Sequence, residues 1–473
     1  MYFESARFFW DPTAAYFGWR PPTYPLMLAT LGNAFGYVTA AHWIAQISMV
    51  LTIVFCGAVA RMVAGVLPAA LAVLSIPLLQ CAVEGAMWTN MYPPAAAAMS
   101  LSAALSVAVW RKPSLALTLL AGLAAGLAWR MNHLGLVAVP LGLGMALIAA
   151  HSVRRLILLP VLFGLGVSAT VSVDHWVVEH WNVPQEDLAT QVLQRRREEL
   201  DRIASGQAPQ DRFSSCTDFQ PKPLNLTELT HPCAQQFVAA NYGTLEAEDC
   251  VPNLATLAWL LPLCLLPSAR RRTWRDTAAS VLLFGGPLGA FLIAAAWTSY
   301  AEKYIISFLY MMVLIAPLGF ERLGGWLGWC IDRVRLGRFI GVFGAAIWIT
   351  QVWPGAVSFR ADTPNIQRDW ESVSGEVASW ASYSLGPSDL LLDCVPLNVD
   401  LVILPRTANI MEGVSTEQTC LDWQRTPPAS KGRIYLVQQA FPRQPETQPE
   451  HLMTLGWQLV RTIDDRHRLW VKP

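Results

Sequence analysis

The sequence predicts an all-α polytopic membrane bundle of about ten transmembrane helices, followed by a small extracytoplasmic α/β domain. Three observations predict it. Of 473 residues, 53% are hydrophobic and only 14% are charged, whereas a soluble domain carries roughly 25% charged residues, so most of this surface faces lipid. Apolar segments long enough to span a bilayer recur along the chain. Past residue 358 they give way to short apolar runs broken by turn residues.

The expected spans are 41–61, 66–85, 92–110, 114–130, 132–150, 155–173, 253–267, 277–298, 304–320 and 339–357. Residues 23–38 are apolar but open on Thr23-Tyr24-Pro25 and contain Gly32-Asn33, which reads as a short interfacial helix. Tryptophan, present 20 times, sits well at headgroup level.

Basic residues near span ends set orientation. Arg111-Lys112, His151 with Arg154-Arg155, Arg270-Arg271-Arg272 with Arg275, and Arg322 through Arg338 all fall on one side of such a bundle, which is then cytoplasmic. Residues 1–40, the link 86–91, the loop 174–252 and the tail 358–473 lie on the other side. The domains are therefore an outer segment with an interfacial helix (1–40), membrane helices (41–173), a large extracytoplasmic loop (174–252), further membrane helices (253–357) and the soluble domain (358–473). The Ala- and Arg-rich composition has a bacterial look and places the chain in a cytoplasmic (inner) membrane. A net charge of zero gives no reason to expect nucleic acid as a partner.

Within 174–252, residues 191–203 (QVLQRRREELDRI) form a charged amphipathic helix pattern. In the tail, 389–393, 399–404, 433–437, 457–463 and 467–471 read as strands, the last two as a hairpin around Asp464-Asp465-Arg466, and 369–383 as a helix. Of nine cysteines, Cys56, Cys81, Cys264 and Cys330 lie in or beside apolar spans, and five lie in polar regions where disulfides can form. Five is odd, so one stays unpaired or pairs elsewhere; Cys394 with Cys420 is the preferred bridge. No CxxC or HExxH spacing suggests a zinc site.

Polar side chains at the outer ends of apolar helices are the candidates for chemistry, because ionisable groups are costly in a membrane. Arg130, Asn132 and His133 sit at the turn between two spans, where a guanidinium can grip phosphate; the plainer reading is an interfacial anchor. Glu302, Lys303 and Tyr304 open the ninth span as a second source of positive charge, again with an interfacial alternative. Glu84 and Asn90 flank an outer link, and Glu4, Asp11 and Arg20 lie in the outer N-terminal segment; each read alone fits a surface or helix-end position.

Three stretches carry a resemblance. Arg20-Pro21-Pro22-Thr23-Tyr24-Pro25-Leu26-Met27-Leu28-Ala29-Thr30-Leu31 with the following Gly36, the helix Leu119 to Arg130, and Glu302-Lys303-Tyr304 resemble segments of the GT-C glycosyltransferases, the protein mannosyltransferase and aminoarabinose transferase relatives among them. Lys303 stands where the family usually has Arg. The resemblance implies an enzyme that takes a sugar from a polyprenyl-phosphate donor at the outer membrane face and passes it, with inversion, to a glycan, lipid or protein acceptor. It implies a carboxylate base in the first outer loop, cations on the leaving phosphate and, in some members, a divalent cation, for which this sequence offers no ligand set. The family's Asp lies shortly before the segment matching Tyr2 to Arg7, after a transmembrane helix. The expectation is thus that both belong before Met1, with Glu4 or Asp11 as the substitutes within the chain. A degenerate relative kept as a scaffold, or a transporter of lipid-linked glycan, is the alternative; no repeat between the halves favours the latter.

Overall fold

The computed structural model describes residues 2–11, 16, 21–79, 82, 86, 91–184, 232, 260–264, 273–285, 288, 309–330, 339–340, 342–344, 346–347, 349–350, 376–377, 380–381, 384–386, 388–394, 409–412, 417–439, 448–463 and 467–472. The chain divides into two compact units. The larger comprises Tyr2–Ala29 and Ala41–Ser358; the smaller comprises Met1, Thr30–Ala40 and Phe359–Pro473.

Helices dominate the chain ahead of the sheet: α1 (Tyr2–Arg7), α2 (Thr23–Phe35), α3 (Tyr37–Ala64), α4 (Val66–Ser75), α5 (Tyr92–Arg111), α6 (Leu115–Met131), α7 (Ala138–Ala149), α8 (Val153–His180), α9 (Trp274–Ser280) and α10 (Leu309–Cys330). Among the described residues, three helices are apolar and long enough to cross a membrane: Thr39–Ala64, α5 and α8. Glycines punctuate the chain where it must turn: Gly36 (φ 85°) separates α2 from α3 and Gly65 (φ 107°) separates α3 from α4, a backbone region open to glycine at no steric cost.

The observed elements differ from the sequence reading in several places. Within the span expected over 66–85, the first α-helix ends at Ser75 and a 3₁₀ turn follows at Ile76–Leu78 around Pro77. The 132–150 span opens with a 3₁₀ turn, His133–Val137, before α7 begins. The helix expected to stop at residue 173 runs on to His180, so the first residues assigned to the large loop are two further helical turns. An apolarity count ends at the first charge, Asp174; backbone hydrogen bonding does not.

α5 lies in the middle of its neighbours, with most of its surface buried, whereas α8 presents Leu156, Ile157, Val161, Leu165 and Val173 outward. The tightest packing joins α6 to α8. A Cβ on Gly122 would lie 2.1 Å from the Phe163 carbonyl oxygen, one on Gly126 2.8 Å from Thr170 Cβ, and one on Gly166 2.5 Å from the Leu119 carbonyl oxygen. Small residues at four-residue spacing let two helix backbones touch, which in lipid replaces the hydrophobic drive for association. The Phe163 ring fills the space above Gly142 of α7, where a Cβ would meet it at 2.3 Å. Arg275 contacts His151 and reaches the Ala150 carbonyl oxygen at 3.5 Å, so two of the basic connections share one end of the bundle.

In the smaller unit, β1 (Leu390–Asp393), β2 (Asn409–Glu412), β3 (Ile434–Gln439), β4 (Gln458–Thr462) and β5 (His467–Lys472) form one sheet in the order β2-β1-β3-β5-β4. β1 pairs in parallel with β2 and β3, and β3 and β4 pair antiparallel with β5. Helices α11 (Glu417–Arg425) and α12 (Pro449–Thr454) complete it. One face packs Leu391, Tyr435, Val437 and Leu469 under Val377 and Ala381; the other packs Leu390, Leu392, Leu436 and Trp470 with Trp457 and Leu452. Asp389 locks the start of β1, accepting from the Gly386 and Arg433 amides at 2.8 Å each. β2 was not among the expected strands, and the strand expected at 399–404 lies outside the described residues.

Cys394 and Cys420 form a disulfide with Cα atoms 5.6 Å apart and a sequence separation of 26. Cross-linking a loop of this length restricts the unfolded chain and stabilises the folded one by about 3 kcal/mol. The Cys394→Ala/Cys420→Ala double variant is therefore expected to lose about 3 kcal/mol of stability and to unfold its sheet at a lower denaturant midpoint, read from far-ultraviolet circular dichroism; an unchanged midpoint would count against it.

Candidate functional site

The glycine contact sets the site. Gly122, Gly126 and Arg130 follow one another at four-residue steps along α6; Gly166, Thr170 and Asp174 do the same along α8. The two ladders keep a constant offset, with Gly122 beside Gly166 and Gly126 beside Thr170. The helices are therefore parallel, and the next rung brings Arg130 to Asp174. Thr170 strengthens the register by donating its hydroxyl to the Leu123 carbonyl oxygen at 3.2 Å.

At that rung Arg130 Nη2 donates to Asp174 Oδ2. The other oxygen, Oδ1, accepts from the Thr23 hydroxyl at 2.9 Å. Thr23 is the first residue of α2, so one buried carboxylate fastens both the end of α6 and the start of α2. Asp174 is 5% exposed. A charge so enclosed persists when it is paired and hydrogen-bonded, and removing its partner typically costs about 3–5 kcal/mol.

The N-terminal segment closes over the same end. Phe8 and Phe9 are buried, and their rings meet Tyr16 with centroids 5.3 and 6.1 Å away. Phe9 also meets Trp181 at 5.6 Å, just past α8, and Trp10 donates its indole N–H to the Ala29 carbonyl oxygen at 3.1 Å. Burial pushes the Tyr16 phenol well above its usual range; the Asp174 carboxylate adds to the rise and the Arg130 guanidinium opposes it.

Among the described residues, Arg130 Nε and Asn132 Nδ2 at this end are buried without a hydrogen-bond partner. Asn132 ends α6 and spends its Oδ1 on the Leu134 amide at 3.0 Å, capping the 3₁₀ turn that holds His133. Open N–H groups beside a fixed cation suit an oxygen-rich anion.

Of the residues the sequence singled out, Arg130 and His133 lie here. Arg130, read from the sequence as a phosphate clamp or an interfacial anchor, already gives one of its amino groups to Asp174. Glu4 lies on α1 and Asp11 directly after it, on the segment that packs over the cluster. Arg20, Glu84, Asn90, Glu302, Lys303 and Tyr304 fall outside the described residues. Asp174, Thr23 and Tyr16 were missed. The signal for Asp174 was present in the two ladders, small-xxx-small followed by opposite charges at equal spacing.

Among the described residues, no three His, Cys, Asp and Glu gather into a group that could hold a metal ion. Both oxygens of Asp174 are engaged, one by Arg130 and one by Thr23.

No protein-family profile and no curated protein matches the chain. Solved structures do. The crystal structure of ArnT from Cupriavidus metallidurans bound to undecaprenyl phosphate is similar with a TM-score of 0.56 and 14% identity, over 99% of this chain and 92% of that one. ArnT in the apo state is similar at 0.47 and 15% identity, over the same shares of both chains. The Archaeoglobus fulgidus oligosaccharyltransferase in complex with Zn and sulfate is similar at 0.45 and 12% identity, over 99% of this chain and 68% of that one. The chain has the GT-C fold.

Two outcomes test the cluster. Asp174→Ala is expected to destabilise the protein by about 3–5 kcal/mol, and Arg130→Ala/Asp174→Ala by less than the sum of the single changes, in a double-mutant cycle of thermal unfolding; additive losses would show the two do not act as a pair. For Tyr16, the folded state holds the neutral phenol while the unfolded chain ionises near pH 10, so stability should fall as pH rises past about 10. Tyr16→Phe should flatten that alkaline limb, and an equally steep limb in the variant would contradict the assignment.

Proposed function

We propose that this chain is an integral membrane glycosyltransferase that moves a sugar from a polyprenyl-phosphate donor to an acceptor hydroxyl at the outer face of the membrane. The observation that carries the reading is the Arg130 end of α6: a cation fixed by a buried carboxylate, with its Nε open and the side-chain amide of Asn132 open two residues on. The GT-C fold supports it, as does the similar ArnT structure, which is bound to undecaprenyl phosphate.

In this reading the acceptor oxygen forms a bond to the anomeric carbon while the bond from that carbon to the phosphate oxygen breaks. The phosphate leaves with the electron pair, and the acceptor's proton passes to a carboxylate. Glu4 or Asp11 takes the base role, because both belong to the segment that packs over the cluster. Arg130 and Lys303 stabilise the charge growing on the leaving phosphate, as fixed donors do without reorganising during the reaction. Arg20, Glu84, Asn90, His133, Glu302 and Tyr304 line the donor and acceptor sites. Asp174 neutralises Arg130 in the resting state and holds its guanidinium in one orientation, so a single face of the fork remains for phosphate. The side carrying these groups is extracytoplasmic, as is the smaller unit, and the membrane is a bacterial inner membrane.

The test is transfer by the purified full-length protein in lipid nanodiscs, supplied with polyprenyl-phosphate-linked hexoses and pentoses and a membrane extract as acceptor source. Lys303→Ala, with normal expression, and Arg130→Ala, compared per molecule of folded protein, are each expected to lower turnover by a factor of about 10²–10³. Undiminished transfer in both variants would refute the phosphate assignment.

A further inference from the structure

The smaller unit has polar groups that its own fold leaves unused. In the order β2-β1-β3, the chain leaves β1 for one neighbour and returns on the other side, so the carboxyl ends of β1 and β3 flank a topological switch point. In open α/β sheets this is where ligands bind. The parallel register pairs Leu390 with Ile434 and Leu392 with Leu436. Cys394 extends it by donating its amide to the Val437 carbonyl oxygen at 3.0 Å. The next residue on that face of β3 is Gln438, and its antiparallel partner on β5 is Arg468. Cys394, Gln438 and Arg468 thus stand side by side at the rim.

Gln438 is only 4% exposed, yet among the described residues neither its Oε1 nor its Nε2 has a hydrogen-bond partner. Arg468 Nη1 and Trp470 Nε1 are buried and equally open. From above, the disulfide ties Cys394 to Cys420 of α11. One helical turn later, on the same side of α11, Gln424 is 2% exposed with its Oε1 open. Buried polar atoms are nearly always paired, so a cluster left open at a sheet rim calls for a partner from beyond the described residues.

From this we infer that the rim at Cys394, Gln438 and Arg468 is a binding site for a neutral saccharide, which meets these groups with its hydroxyls. The open set holds donors on Gln438, Arg468 and Trp470 and acceptors on Gln438 and Gln424. A hydroxyl is the ligand group that both gives and accepts. An anion would face two amide oxygens. A peptide strand would need an unpaired sheet edge, and β1 and β3 are interior strands with neighbours on both sides. Binding here is independent of sugar transfer and is read without any lipid-linked donor.

The experiment is saturation-transfer difference NMR on the full-length protein in nanodiscs, with glucose, mannose, galactose and arabinose as probes. At least one sugar is expected to bind, and Gln438→Leu is expected to weaken it about tenfold, the loss of two hydrogen bonds, with an unchanged thermal midpoint. Arg468→Met supplies the same comparison should Gln438→Leu fail to fold. A bound sugar should also slow reduction of the Cys394–Cys420 disulfide by a soluble phosphine. Absence of binding by every sugar, equal binding by both variants, or competition by glycylglycine but by no sugar would each overturn the inference.

Discussion

The contact of α6 with α8 across Gly122, Gly126 and Gly166 is the constraint from which the rest of the larger unit follows. Carbonyl oxygens of one helix occupy the positions that Cβ atoms would take on the other. No other residue type permits that separation, and in lipid no hydrophobic drive compensates a poorer fit. Because the approach is backbone to backbone, it fixes the axial register as well as the distance. A slip of one residue would move Arg130 away from Asp174 and leave a buried charge alone. The glycine ladder and the ion pair therefore specify the same alignment, one by shape and the other by charge.

That alignment has a chemical consequence. Asp174 spends one oxygen on Arg130 and the other on Thr23, so the carboxylate is a fastener between three segments. The N-terminal segment is drawn in by aromatic rings, with Tyr16 meeting Phe8 and Phe9 on one side and feeling the charge pair on the other. What remains free at the site is the donor capacity of Arg130 Nε and Asn132 Nδ2. A pre-oriented, already neutralised cation avoids the reorganisation that an unpaired arginine would undergo on meeting an anion. The smaller unit follows different rules: its sheet is held by two alternating apolar faces and one disulfide, and the polar groups it leaves open gather at the carboxyl ends of its parallel strands.

Much of this was legible in the residues. Apolar length marked α3, α5, α6 and α8, because a lipid-spanning helix must be apolar for a fixed distance. Period-two alternation around Asp464-Asp465-Arg466 marked β4 and β5. Other features were not legible. β2 has only four residues, Asn409 to Glu412, and polar ends hide its two apolar ones. The extension of α8 to His180 was invisible to a count of hydropathy, since Asp174 reads as the end of a span when its partner lies 44 positions away.

Sequence by itself determined that the chain is a membrane bundle with an α/β domain, that charge at Arg130 marks one end of it, and that its motifs resemble those of GT-C enzymes. These are properties of composition and local period, which each segment carries alone. Only the tertiary structure decided that Arg130 has a partner, that the partner is Asp174, and that Thr23 and Tyr16 complete the cluster. The pairing depends on how closely two parallel helices approach and in which register, and that distance is set by the absence of side chains at glycines whose importance appears only once the second helix is in place.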